Sequence, residues 1–317
     1  MDNDERPYRF ERYTPDQLPA LLTLHDAVYG PGLTAGRLQR KFASPVPDHE
    51  VIGYLAYSAE GEPAAYYGIF PVLLRHGGEH IVAGQSGDTM THPKHRKRGL
   101  FVELGRRTYA AAANEGIAFV FGFPNLDGSY PGFVKHLAWT HRRTMRSYWL
   151  FVPTIPFHVL LRNRPALTRR IDSVQRHLIT RLHLACPTLD LPSSVLDNGE
   201  AGALRDQAVL DYKEPGIFTF TQSGVRVLFR LDEHLSVGDL VAQQGAKPWR
   251  AIARLMAVAV LSGRFRISYH VSPGSASDRL LRGHLPVKDG LPYGHVTFAE
   301  GMNPEEFNFT FIDYDTF

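Results

Sequence analysis

Residues 117–123 read IAFVFGF and follow Gly116 directly. A run of strand length with no polar side chain on either parity predicts a strand buried on both faces. Gly116 is the closing glycine of a helix predicted over 99–115. Before that helix, residues 81–91 predict another strand, its end rich in small and polar residues. A strand, a helix and a doubly buried strand in this order need layers on both sides of a sheet. That confines the chain to a mixed α/β (α+β) class.

The flanking elements extend the alternation. Strands are predicted over 8–13, 51–58, 65–74 and 142–152, and helices over 14–25, 33–42 and 131–137. Thr14 before Pro15 is a helix start, with a capping hydroxyl and a proline at the first helical position. Glu60-Gly61-Glu62-Pro63 and Gly77-Gly78 are turns. Leu167, Ile171, Val174, Leu178 and Leu182 recur at helical steps, which predicts one apolar stripe on a connector helix over 157–183, buried against a sheet. The last third predicts strands over 217–222, 225–231, 236–244, 265–271, 295–299 and 307–314, with helices over 247–261 and 276–283. Its order from the first hairpin onward repeats the order seen from residue 51, so the chain reads as an internal structural repeat. The expected division is a first domain over 1–155, a basic helical connector over 156–194 and a second, degenerate domain over 195–317.

Charge and composition narrow the function. Residues 1–127 hold 13 Lys/Arg and 15 Asp/Glu, 128–189 hold 10 and one, and 190–317 hold 12 and 16. The basic middle block suits a solvated face, or an anionic surface such as nucleic acid or a lipid headgroup. No aromatic interleaving over 157–183 points to base stacking, which argues against nucleic acid. The lone Cys186 excludes an internal disulfide framework and a multi-cysteine metal site. No apolar stretch approaches membrane-spanning length, and the opening MDNDERP is unlike a secretory signal, so cytoplasm is the expected compartment. Oligomeric state is not legible.

Chemistry concentrates in residues 92–101, HPKHRKRGLF, between the predicted strand and helix. Backbone N–H groups in the first turn of a helix have no partner inside it, and the helix dipole favours negative charge there. Gly99 lets a bulky anion approach the backbone, and Arg96, Lys97 and Arg98 add positive charge at the same place. The bland alternative is a basic helix start with no ligand. His92 and His95 have no nearby acid or cysteine, so no metal is expected. Trp139 and Trp149 read as packing residues.

This stretch resembles motif A of the GNAT N-acetyltransferase superfamily, in which a strand leads through V-x-P and R/Q-x-x-G-x-G/A into a helix. The matching residues are Thr91-His92-Pro93 and Arg96-Lys97-Arg98-Gly99-Leu100-Phe101, with Phe101 departing from the small residue of the pattern. Phe121-Gly122-Phe123-Pro124-Asn125 and Leu137-Ala138-Trp139 are similar to later pieces of the superfamily. The last third looks like a degenerate second copy. Its corresponding loop, Gln243-Gln244-Gly245-Ala246-Lys247-Pro248, lacks the arginines and is expected to hold no coenzyme.

The resemblance implies acetyl-coenzyme A as co-substrate, held between strands 81–91 and 117–123. Its pyrophosphate would lie on Arg96, Lys97, Arg98, Gly99, Leu100 and Phe101. Its thioester carbonyl would accept from backbone N–H groups around Met90 and Thr91, and Asn125 would bond or shape the pantetheine. The acetyl group would pass directly to an amine, on a small molecule, an amino sugar or a peptide. Many members use a tyrosine as the acid for the leaving thiolate. Val134 occupies that position, and Tyr130 lies one helical turn before it. Asp88 is the candidate base. Some tandem members look similar in using a C-terminal carboxylate, so Asp313, Asp315 and the terminus at Phe317 are further candidates. Transfer of another acyl group and non-catalytic coenzyme binding are the alternatives.

Overall fold

The computed structural model describes residues 8–126, 128–155, 160–161, 163–181, 193–213 and 216–317. They form two compact units, one from residues 8–74, 79–142 and 292–305, the other from 75–78, 143–291 and 306–317. Residues 182–192 of the predicted connector, Leu182 and Cys186 among them, lie outside the described residues.

In the first unit, β1 (Tyr8–Arg12), β2 (Ile52–Ser58), β3 (Pro63–His76) and β4 (Glu79–Thr91) are neighbours in that order, followed by β5 (Phe119–Gly122). Both pairs that β2 makes are antiparallel, and β4 runs parallel to β5. The parallel pair is joined by α3 (Leu100–Asn114), which ends before the left-handed Gly116 as its sequence predicts. β5 is shorter than its apolar run, and its four residues are buried, while Ala118 and Phe123 of the run are half-buried; in the sheet β5 has a neighbour on each side. The second neighbour comes from β12 (Val287–Thr297), whose residues from Gly294 to Thr297 pair antiparallel with β5. Residues 292–305, which the sequence places in the second copy, therefore cluster with the first unit. A strand ladder formed across such a sequence distance leaves no local signal.

Helices cover both faces of this sheet. α1 (Leu18–Tyr29) and α2 (Ala35–Lys41) bury Leu21, Leu24 and Leu38 against Tyr66, Phe70 and Met90. α3 buries Leu100, Leu104 and Tyr109 against Tyr67, Ile69 and Val120, together with Phe133 of α4 (Tyr130–His136). Each such side chain contributes about 1.5–3 kcal/mol on leaving water. Gly84 is required where β4 meets β3, because a Cβ there would lie 2.3 Å from Ile69.

In the second unit, β6 (Thr140–Phe151, from residue 143), β11 (Arg266–Val271), β10 (Leu235–Ala242), β9 (Val225–Leu231) and β8 (Ile217–Gln222) are neighbours in that order. The β10–β11 pair is parallel and the others antiparallel. A helix over Pro248–Leu261 makes the crossover and buries Ala251, Leu255 and Val258 on the sheet. Each unit thus holds one parallel pair, joined by a helix, beside antiparallel pairs.

Two expectations fail here, and one α-helix goes unforeseen. The connector helix, α5 (Pro165–Arg181), forms, but Leu167 and Val174 of its stripe are 41% and 60% exposed, so that part of the stripe faces solvent. The predicted strand over 307–314 is only β13 (Phe307–Asn308), which pairs in parallel with β7 (Ala201–Ala203), after which the chain turns through a 3-10 turn at Phe311–Asp313. Asp313 drives that turn, since its carboxylate accepts from Thr310 N at 2.8 Å while its own N–H bonds Thr310 O. The aromatic alternation reflects burial of Phe307, Phe309, Tyr314 and Phe317 rather than a strand. A short helix, α6 (Gln207–Lys213), lies in a stretch with no predicted element. Among the described residues no helix is long and apolar enough to cross a membrane.

Candidate active site

The head of α3 is built as its sequence predicts. Pro93–His95 forms a 3-10 turn after β4, capped by His92 Nδ1, which accepts from Lys94 N at 3.2 Å. Lys97 and Gly99 are then left-handed, at φ 63° and 76°. Alternation of ordinary and left-handed residues aims successive N–H groups into one concavity, an anion nest. Gly99 is the N-cap of α3, so the unpaired N–H groups of the first turn follow at once. The side chains of Arg96, Lys97 and Arg98 are exposed around it, and Arg96 Nε also reaches Thr91 O at 3.4 Å. A Cβ on Gly99 would meet nothing within 4 Å, so the space above this turn is open.

Phe101 has a different task from the small residue it replaces. Its ring packs on Phe133 and Tyr67, with centroids 5.1 and 5.9 Å apart, and covers Gly132 of α4. It ties the two helices together, while buried Leu100 seats α3 on the sheet. Of this motif, Phe101 is left to offer its backbone to a ligand.

The ladder between β4 and β5 ends at Gln85 and Phe121. Immediately past that point β4 changes face. Ser86 Oγ shares a hydrogen bond of 2.9 Å with Tyr67, which belongs to the α3 face. Asp88 has φ 49°, a left-handed conformation inside a strand. Simple alternation puts 86 and 88 on one face. The left-handed residue instead turns Asp88 toward α2, where its Oδ1 lies 2.7 Å from Lys41 Nζ. Met90 follows into the α1/α2 core. Tyr66 is buried beside Asp88, and burial followed by the Asp88 charge holds its hydroxyl well above the ordinary tyrosine range.

Behind Ser86 the polar atoms form a closed chain. Tyr67 bonds Tyr109 at 2.7 Å, and Trp139 Nε1 donates to Tyr109 at 2.6 Å. Burial keeps both phenols protonated, so the chain fixes β4 against α3 and holds no titrating group. Trp139 packs, as expected.

Tyr130 opens α4, on the same helix as Val134, and shares a 2.6 Å hydrogen bond with His141 Nδ1. The carbonyl of Asn125 accepts from Gly128 N and Tyr130 N, so Asn125 sets the start of that helix. His95 Nδ1 bonds the Tyr8 hydroxyl at 2.8 Å. Burial, with His92 and Arg98 nearby, lowers its pKa. Among the described residues no group of His, Cys, Asp and Glu comes together to hold a metal.

Two residues escape the sequence reading. Lys41 carries only the weak signal of a basic residue in the last turn of a helix. His141 follows the strand-start Thr140 without any motif. The C-terminal candidates divide differently from expectation. The Asp313 carboxylate is 4% exposed and bonds Arg205 Nε and Nη2 at 3.0 and 2.8 Å. Arg205 also holds Asp239, which accepts from Ser194 and Tyr269 as well. Burial works to discharge that guanidinium, but Asp313 and Asp239 more than offset it and raise its pKa. Asp313 is therefore a structural ligand of Arg205. Phe317 buries its ring on Gly238, under Arg230.

Residues 9–141 match the family model described as Acetyltransferase (GNAT) domain. The fold is similar to a GCN5-related N-acetyltransferase from Kribbella flavida, at 16% identity and TM-score 0.56, covering 92% of this chain and 72% of that one. A conserved protein of unknown function from Enterococcus faecalis V583 aligns at 12% identity and TM-score 0.59, covering 92% and 73%. A GCN5-related N-acetyltransferase from Anabaena variabilis ATCC 29413 aligns at 10% and 0.53, covering 92% and 73%. No curated protein sequence matches the chain.

Proposed function

We propose that this chain, whose residues 9–141 match the GNAT acetyltransferase model, is an acyltransferase that moves an acetyl group from acetyl-coenzyme A directly to an amine. The observation that carries this reading is the open, basic, left-handed turn at Lys97 and Gly99, at the head of the helix that joins β4 to β5. The pyrophosphate lies on the N–H groups of 97–101, with Arg96, Lys97 and Arg98 neutralising its charge. The pantetheine runs between β4 and β5 past Asn125. Backbone N–H groups at Met90 and Thr91 polarise the thioester carbonyl.

Direct transfer needs a neutral amine and a proton for the departing thiolate. Asp88 takes the ammonium proton, because the left-handed turn aims its carboxylate at the α1/α2 face. The amine attacks the thioester carbon, the C–S bond breaks, and Tyr130 supplies the thiolate proton with His141 as its hydrogen-bond partner. The acceptor is a small amine, an amino sugar or a protein amine.

Calorimetric titration tests the coenzyme half. Acetyl-coenzyme A binds the wild-type chain, and Gly99→Glu abolishes binding while the protein stays folded. Unchanged affinity in a folded Gly99→Glu protein removes the reading. Thiol release against an amine panel, run with acetyl and longer acyl donors, tests the transfer half. Binding without turnover on any amine makes the protein a coenzyme-binding module instead.

A further inference from the structure

We propose that Lys41 is an acetylation site of this protein, modified by its own active site; the inference rests on the coenzyme reading above. A primary ammonium already lies in hydrogen-bond contact with the candidate base, at 2.7 Å from Asp88 Oδ1. That carboxylate belongs to the stretch of β4 just past the end of its ladder with β5, the stretch whose backbone would meet the thioester. An acceptor amine must be brought to the same carboxylate before it can attack, and the Lys41 Nζ is held there by its own helix.

The surroundings suit a nucleophile better than a structural ion pair. The Lys41 and Asp88 side chains are 27% and 24% exposed, so solvent and solutes reach them. Nζ also lies 5.5 Å from the centre of the Phe70 ring, and Phe42, Leu38 and Met90 belong to the same apolar cluster. Four methylenes let the amine swing away from the acid. The buried pair of the second unit makes the contrast. There the cation on the aspartate is Arg205, 2% exposed, and a guanidinium has no accessible neutral form.

The chemistry balances with acetyl-coenzyme A alone. One ammonium proton of Lys41 passes to the Asp88 carboxylate. The neutral Nζ attacks the thioester carbonyl carbon, a C–N bond forms and the C–S bond breaks. A second nitrogen proton goes to the thiolate, by way of the Tyr130 hydroxyl, giving free coenzyme A. Asp88 returns its proton to water. The product is an uncharged amide that no longer neutralises Asp88, so the modified protein presents a free carboxylate to an incoming ammonium.

The experiment uses the full chain and acetyl-coenzyme A labelled in the acetyl group, with no acceptor added, followed by digestion and peptide mass spectrometry. Lys41 is expected to take the label at least ~10-fold faster than exposed Lys94 and Lys135, as a positioned amine outruns free ones. Asp88→Asn, which keeps a residue tolerant of the left-handed conformation, is expected to slow labelling of Lys41 about 100-fold, the loss of a general base. Lys41→Arg leaves position 41 unlabelled and still binds the coenzyme. Label on Lys41 at the rate of Lys94 and Lys135, or at an equal rate in Asp88→Asn, overturns the proposal as ordinary chemical acetylation. An unlabelled Lys41 in protein that binds acetyl-coenzyme A and acetylates added amines overturns it while leaving the function intact. Absence of coenzyme binding in calorimetry sinks both.

Discussion

Each unit has a strand that carries an aspartate three residues before its end and then crosses through a helix to a parallel neighbour: Asp88 in β4 and Asp239 in β10. Both strands are irregular there, with the left-handed Asp88 in one and a register shift between Val237 and Asp239 in the other. Both carboxylates hold a basic side chain. What differs is closure. Lys41 and Asp88 are partly exposed, whereas Arg205 and Asp239 are buried and locked further by Asp313, Ser194 and Tyr269. The loops that follow differ in the same sense, with Arg96, Lys97 and Arg98 around left-handed Gly99, but Gln243, Gln244 and one lysine around left-handed Gly245. The same place in the strand holds a solvent-accessible pair in one unit and a buried cluster in the other. The chemistry placed on the aspartate decides which.

The largest effect expected from this contrast is on stability. Arg205→Leu strands two buried carboxylates and should cost about 3–5 kcal/mol. Lys41→Leu opens a pair that water reaches and should cost about 1 kcal/mol or less. Urea midpoints of the two variants measure the difference. Equal, small costs would mean that the second unit's pair is not the buried cluster described here.

Acid should act on the second unit next. His270 is pressed between Phe311 and Tyr314, with ring centroids 4.4 and 5.8 Å away. Burial, then Arg266 and Lys288, push its pKa down from 6.5 to about 4. The folded ring therefore stays neutral where the unfolded ring takes a proton. Its stabilising contribution is complete above the unfolded value and is lost as pH falls from there toward the folded one. The total is roughly 3 kcal/mol. Urea midpoints at neutral and acid pH should converge in His270→Phe, which has no ring proton to gain.

The contrast also marks what the sequence makes legible. The order of strands and helices from 51 to 152 follows from periodicity and turn residues, and the head of α3 follows from Pro93, Gly99 and the arginines. Asp88 can be chosen by position, but its facing cannot. Strict alternation sends it to the α3 side with Ser86, and an aspartate in a left-handed conformation looks like any other in a one-letter string. Lys41 is hidden for the same reason, since its partner lies 47 residues away. The Arg205 cluster draws on Asp239 and Asp313, 34 and 108 residues distant. At that range, composition offers an acid and a base but no pairing. The basic block over 128–189 partly dissolves into such pairings: Arg143 donates to Phe307 O, and Arg146 pairs with Asp289.

Coenzyme affinity sharpens the comparison at the loops. Arg96→Ala and Arg98→Ala should each weaken acetyl-coenzyme A binding by about 1–3 kcal/mol, the range for charge-assisted hydrogen bonds to phosphate. The loss should shrink in high salt, because both side chains are exposed. Lys247→Ala, at the matching place in the second unit, should change affinity not at all. Calorimetry at two salt concentrations separates these cases, and a loss of affinity in Lys247→Ala would give the second unit a coenzyme site of its own.

The smallest effect expected is the most diagnostic. Gly245 and Gly99 share the left-handed conformation, at φ 77° and 76°, and a Cβ on either would meet nothing within 4 Å. A glutamate at either position pays the same local backbone strain, about 1–2 kcal/mol, and the same added charge. The two substitutions are thus matched in everything except what the turn is for. Gly99→Glu should lose acetyl-coenzyme A, because the carboxylate and its stem occupy the place of the pyrophosphate. Gly245→Glu should bind it with wild-type affinity and release thiol at the wild-type rate, with only the small drop in melting temperature that both variants share. A Gly245→Glu protein that melts normally but loses coenzyme would show that the second loop takes part in binding, and the division into an open site and a buried cluster would fall.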